Sequence, residues 1–182
     1  MLPTGLVDAP QRVWFNSCLV ETDAYIALGS NLGDRELNLL RAVSELGRLP
    51  GCRVTALSRF YETSPVGMPD GTPAFLNGAL RLSTELGPRE LLQELQRIER
   101  ETFGRTASPT AVSRRMDLDL LLYGHQILAE PELAVPHPRM LQRRFVLQPL
   151  ADIAPLVVEP HSGKTINELL TALDSDERVT PL

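Results

Sequence analysis

The chain has 182 residues and a mass of 20.1 kDa, which suits one compact domain and leaves little room for two. Hydrophobic residues make up 43% and charged residues 23%, which excludes wholesale disorder, and no apolar run approaches the ~20 residues of a membrane span. Eighteen basic against 23 acidic residues give a net charge of −5, which argues against a general nucleic-acid or membrane-surface binder.

Residues 1–22 lack the charged start of a secretory leader and read as a loosely held N-terminal extension. Residues 23–174 read as a single domain and 175–182 as a C-terminal tail. Cys18 and Cys52 make neither a disulfide framework nor a metal site by themselves, and they predict reduced thiols in a cytoplasmic protein.

In chain order, Ala24-Tyr25-Ile26-Ala27-Leu28 is a short apolar run that stops at Gly29, the pattern of a buried strand. Asp34 is placed to cap a helix running to about Arg48, with Leu39, Leu40, Val43 and Leu46 as its buried stripe. Arg53 to Thr63 alternates in the manner of one continuous second strand. Three prolines and two glycines between Ser64 and Pro73 predict a loop. Phe75 to Thr84 alternates again, with Leu76, Leu80 and Leu82 on one face and Phe75 and Asn77 on the other.

Pro88 suits a first helical position, and Leu91, Leu95 and Ile98 give the following helix its apolar face. Residues 104–113 lose all periodicity and predict a polar loop. Asp117 to Tyr123 reads as a strand with Leu118, Leu120 and Leu122 on one face. Residues 138–153 read as two helical pieces divided at Pro149, and Thr165 with Glu168 has the spacing of a capping box that opens a last helix. Hairpin-like spacings among these elements argue against a purely parallel sheet.

Seventeen of the eighteen basic residues are arginine. Residues 97–144 hold eight arginines against six carboxylates and net +2, so the rest of the chain nets −7. Arginine suits bidentate grips on phosphate oxygens, although such a charge run also solvates a helix.

Asp117-Leu118-Asp119 is the sharpest local feature. Positions two apart in a strand point the same way, about 6.7 Å apart along the chain. Carboxylates so placed can grip hard cations, and Arg114 and Arg115 just before them suggest a metal–polyphosphate site rather than an acidic outer face. Gly163-Lys164-Thr165 has the tail of a phosphate loop but lacks its first glycine, because Val158 stands there. His137, between Pro136 and Pro138, is either a phosphate contact or a satisfied imidazole. Phe75 and Phe145 are core residues by default, yet Phe75 shares its strand face with Asn77, which also fits a pocket wall. Read without a family, these residues suit a Mg²⁺-dependent nucleotidyl or phosphoryl transferase, or a non-catalytic ligand-binding domain.

Seven segments resemble the 6-hydroxymethyl-7,8-dihydropterin pyrophosphokinase family in order and spacing. They are Ala-Leu-Gly-Ser-Asn-Leu-Gly-Asp at 27–34, the run Phe60 to Gly67, Phe75-Leu76-Asn77, Leu95 to Glu99, Arg114 to Leu121, Val135 to Pro138, and Arg143-Arg144-Phe145. The resemblance implies an α+β, ferredoxin-like domain with an antiparallel central sheet and helices packed on both sides. It implies transfer of pyrophosphate from ATP to the pterin hydroxymethyl group, releasing AMP, with no obligate protein partner.

By position, the resemblance makes Asp117 and Asp119 ligands of two Mg²⁺ ions, with Arg114 and Arg143 joining them in catalysis. Gln96, Glu99, Arg105, Arg114, Leu120, His137 and Arg143 become ATP contacts, and Thr63, Ser64, Val66, Phe75, Asn77 and Phe145 the pterin pocket. No residue stands out as a general base. Ala111-Val112-Ser113 stands where many relatives carry Trp-Gly-Pro, Ala107 replaces a common arginine and Ser64 a frequent proline. These departures predict weaker closure of the loop 104–116 over its substrates.

Overall fold

The computed structural model describes residues 21–64, 71–104 and 113–182. The expectations placed on the first twenty residues, on Val66 and Arg105, and on Ala107, Ala111 and Val112 lie outside the described residues.

The central strand is β1 (Thr22–Ser30), which pairs antiparallel with β4 (Phe75–Thr84) on one side and β5 (Asp117–Tyr123) on the other. The far edge of β4 is shared by β2 (Cys52–Leu57) and β3 (Tyr61–Thr63). A short ribbon of β6 (Leu128–Ala129) and β7 (Ala134–Val135) follows β5. The last strand, β8 (Val179–Pro181), pairs with β3, so the sheet runs β5-β1-β4-β3-β8 with β2 beside β4. Every strand pairing among the described residues is antiparallel.

Side-chain alternation divides the core into two layers. Ile26, Leu28, Leu80, Leu82, Leu118 and Leu120 pack with α1 (Arg35–Gly47) and α2 (Pro88–Phe103) on one face. Tyr25, Ala79 and Leu121 pack with α3 (Arg144–Ile153) and α4 (Ile166–Ala172) on the other. Removing each large aliphatic side chain from water contributes about 1.5–3 kcal/mol, so the two layers dominate stability. The order β1-α1-β2/β3-β4-α2-β5 is a ferredoxin-like α+β arrangement, and α3 and α4 cover its second face, as expected from the sequence. Among the described residues no helix is long and apolar enough to cross a membrane.

Local signals explain the helix starts. The Asp34 carboxylate accepts from Leu37 N at 3.0 Å, and Pro88 opens α2 as predicted. Thr165 and Glu168 close their capping box, with Glu168 N donating to Thr165 Oγ1 at 3.2 Å and Thr165 N to Glu168 Oε2 at 2.8 Å.

Five expectations change. The strand predicted over 53–63 is interrupted: Leu57 pairs with Leu80 but Tyr61 with Asn77, so β2 and β3 spend one more residue than β4. Ser58 occupies that step, its N–H donating to Ala79 O and its Oγ accepting from Ala79 N, both at 2.9 Å. The Phe60 ring then lies across Gly78, where a Cβ would stand 3.0 Å from it.

In β5 the register slips between Tyr25 and Ile26 of β1, making Leu121 a bulge. Leu122 therefore joins Leu121 in the layer with α3 instead of sharing a face with Leu118 and Leu120. On α1, Leu40 is 47% exposed and the smaller Ala42 takes a buried position beside Leu39 and Leu46.

The helical break expected at Pro149 falls at Arg143, whose extended backbone (φ −125°, ψ 108°) separates a 3-10 turn, Met140–Gln142, from α3. Pro149 lies inside α3, buried, where its missing N–H costs a single helix bond, the one to Phe145 O. Finally, the C-terminal segment is not a loose tail. Residues 179–181 add a strand beside β3, and Leu182 N donates to Phe60 O at 3.0 Å.

Candidate active site

One end of the sheet, on the face covered by α3, opens into a cavity of about 600 Å³. Its floor is built from three neighbouring strands in register. Gly29 of β1 pairs with Asn77 of β4 and with Asp117 of β5, and one step along Ala27 pairs with Asp119. The same alternation that buries Leu118 and Leu120 thus points both carboxylates into the cavity. Gly29 leaves room at this floor: a Cβ there would lie 3.1 Å from Asn77 Oδ1, so the Asn77 amide would have to give by a few tenths of an ångström.

The cavity collects nine of the residues singled out from sequence: Thr63, Ser64, Phe75, Asn77, Arg114, Asp117, Asp119, Arg143 and Phe145. Asn77 is oriented by its Nδ2 donating to Thr63 Oγ1 at 2.6 Å, and both residues are buried. The Arg143 guanidinium lies over the Phe145 ring, 5.4 Å from its centroid. Arg114 is anchored through its backbone: its N–H donates to Asn31 Oδ1 at 2.6 Å and its carbonyl accepts from Asn31 N at 3.0 Å.

Glu99 and His137 sit against the backbone of β5, the edge strand of the sheet. Buried Glu99 accepts from Leu118 N at 2.8 Å, and His137 N donates to Leu121 O at 2.9 Å. Gln96 is exposed on α2. The Leu120 side chain belongs to the core layer with α1 and α2 and does not line the cavity.

Burial and the neighbouring Asp117 raise the Asp119 carboxyl above its usual range, against the opposing pull of His137, Arg143 and Arg139. Burial lowers His137, which favours the neutral ring. Its Nδ1 accepts from Arg139 N at 3.3 Å, so the proton sits on Nε2, which faces Asp119 Oδ1 at 3.9 Å. Burial and the adjacent Arg139 lower the Arg143 guanidinium. Two mutually repelling carboxylates, one of them partly desolvated, suit a hard cation that takes its remaining ligands from phosphate oxygens or water.

Beside Ala27, Leu28 and Gly29 of β1, four lining residues outside the sequence-predicted set complete the cavity: Arg139, Gln142, Val146 and Glu177. Arg139 carries a sequence signal, two positions after His137 in Pro-His-Pro-Arg. Glu177 carries none, because only the return of the chain as β8 brings it here.

An α+β fold whose sheet ends in an acidic pair, arginines and aromatic walls around one cavity suits an enzyme of group transfer. The sequence model of the 7,8-dihydro-6-hydroxymethylpterin-pyrophosphokinase family matches residues 25–155. The chain belongs to that family. It is 40% identical over 174 residues to a 2-amino-4-hydroxy-6-hydroxymethyldihydropteridine pyrophosphokinase of Synechocystis, covering 96% of this chain and 84% of the relative. It is 48% identical over 146 residues to the enzyme of that name from Bacillus subtilis, covering 80% and 86%. The fold is similar to that of the wild-type HPPK-DHPS crystal structure from Plasmodium falciparum, with a TM-score of 0.66 at 15% identity. That match covers 84% of this chain and spans 44% of the longer protein.

Proposed function

We propose that the chain carries out the family's reaction in this cavity, transferring pyrophosphate from ATP to 6-hydroxymethyl-7,8-dihydropterin in folate biosynthesis. The observation that carries the site assignment is the row Asn77–Gly29–Asp117, which sets an acceptor wall and an acidic wall side by side. The pterin hydroxyl oxygen forms a bond to the β-phosphorus of ATP. The bond from that phosphorus to the α–β bridging oxygen breaks, AMP leaves with the bridging oxygen, and the hydroxyl proton passes to water.

Asp117 and Asp119 would hold two Mg²⁺ ions, which when bound offset the negative charge of the triphosphate. Arg114, Arg143 and Arg139 bind the polyphosphate and stabilise charge on the transferred group. Neutral His137 offers its Nε2 proton to a phosphate oxygen. Glu99, Gln96 and Arg105 belong to the nucleotide side. Phe75 and Phe145 sandwich the flat bicycle. With Nδ2 committed to Thr63, Asn77 turns Oδ1 towards the ring's N–H edge, and Ser64 and Val66 complete that end. This reading assigns the enzyme to the cytoplasm, supported by its charged, moderately hydrophobic composition.

Incubation with MgATP and hydroxymethyl-dihydropterin tests the reading. AMP and the pyrophosphorylated pterin in equal amounts support it; ADP, free pyrophosphate or no turnover would overturn it.

A further inference from the structure

Helix α3 begins at Arg144 with no cap of its own, since the Arg143 side chain makes no capping bond. A helix start leaves its first amides without partners. Here Glu177 Oε2 accepts from both, Arg144 N at 2.7 Å and Phe145 N at 3.3 Å. A carboxylate at this end is also favoured by the helix dipole. Glu177 lies 22 residues past the end of the family match and lines the cavity beside Arg143 and Phe145.

The segment that carries the carboxylate is itself tethered. Glu177 N donates to Ser175 Oγ at 3.2 Å, and Arg144 Nη2 donates back to Leu173 O at 3.2 Å. Two residues further on, Val179 pairs with Thr63, the hydrogen-bond partner of Asn77. One short segment therefore touches both walls of the proposed pterin pocket, the α3 wall through Glu177 and the β3 wall through Val179.

We propose that Glu177 is a positioning residue of the acceptor pocket. It caps α3 from outside and so fixes the turn from which Arg143 and Phe145 enter the cavity. The proposal rests on the reading of Phe145 as a pterin wall. It concerns pterin more than nucleotide, because the second capped amide is that of Phe145 itself.

Steady-state kinetics of the full chain test it, with pterin and ATP varied separately. Glu177→Ala is expected to raise the pterin KM about tenfold and the ATP KM by less than about twofold, on the scale of a lost helix cap. Glu177→Gln keeps an acceptor without the charge and should raise the pterin KM only about threefold. A lowered unfolding midpoint with unchanged pterin KM, or equal rises in both KM values, would overturn the proposal. If Glu177→Ala gives no folded protein, Glu177→Gln decides by the same two readouts. Phe145→Ala serves as the control. If it leaves pterin binding intact the pocket reading fails, whereas if it weakens binding while the Glu177 variants do not, only the Glu177 proposal fails.

Discussion

Arg114 Nη1 donates to Asp117 Oδ1 at 2.8 Å, so a cation and a carboxylate of the same cavity meet across three residues of chain. Asn31 fixes the Arg114 backbone just behind this contact. On the proposed assignment, a phosphate bound beside the acidic pair would meet a guanidinium already positioned at Asp117, which reduces the side-chain freedom lost on binding.

On the proposed assignment, charge at this pair should govern turnover more than pterin binding. Asp117→Asn and Asp119→Asn should each lower the rate of AMP release by at least ~100-fold, the scale of removing a transition-state electrostatic contact. Pterin affinity in the presence of a non-hydrolysable ATP analogue should fall far less. A near wild-type rate in Asp119→Asn would remove the metal-site assignment.

The same substitution has an opposite effect on stability. Burial and Asp117 raise Asp119 above its ordinary value of 3.8, so the folded protein binds that proton more tightly than the unfolded chain does. Stability from this group is complete below the unfolded value and is lost as pH rises through the folded one. Asp119→Asn should therefore raise the unfolding midpoint at pH 7, with the advantage shrinking towards pH 4. An advantage that grows on acidification would contradict the burial argument.

Aromatic contacts should separate the two substrates. Phe75→Ala should weaken pterin binding by roughly 1–3 kcal/mol, the scale of stacking a flat heterocycle on a ring, and leave ATP affinity unchanged. Phe145→Ala should do the same to pterin but also touch ATP, because its ring supports the Arg143 guanidinium. Calorimetry with each ligand reads both effects, and unfolding without selective loss of binding would make either ring a core residue.

Gly29→Ala probes the floor of the cavity. The added methyl would stand 3.1 Å from Asn77 Oδ1, and moving that oxygen costs a hydrogen bond to the pterin edge. The expected loss is about 1 kcal/mol of pterin binding. Unchanged pterin affinity would mean that Asn77 does not face the ring.

Much of this architecture is legible in the chain because its signals are local. Asp34, Pro88 and Thr165 each start a helix with chemistry carried within a turn, and β4 is readable because Leu76, Leu80 and Leu82 recur at strand spacing on one face. The acidic pair is readable because strand periodicity alone puts two carboxylates on one face. What escapes depends on partners distant in sequence. The Ser58 step is fixed by Ala79, the break at Arg143 by the amides that Glu177 satisfies, and β8 by an open edge on β3. Leu120 shows the limit from the other side: family position suggests a nucleotide contact, while its side chain packs into the core.

The bulge at Leu121 has a bearing on how this enzyme can vary. Its carbonyl holds His137 N, so the spacing between Asp119 and the imidazole is written into residue count rather than residue identity. Substitutions along β5 leave that count intact, and an apolar exchange at 121 should be tolerated. Deleting one residue between Asp119 and Tyr123 would restore perfect alternation and still disarm the site, because the ring would lose its backbone tether. At Leu121 itself, then, the site depends more on the number of residues than on which apolar side chain fills the position.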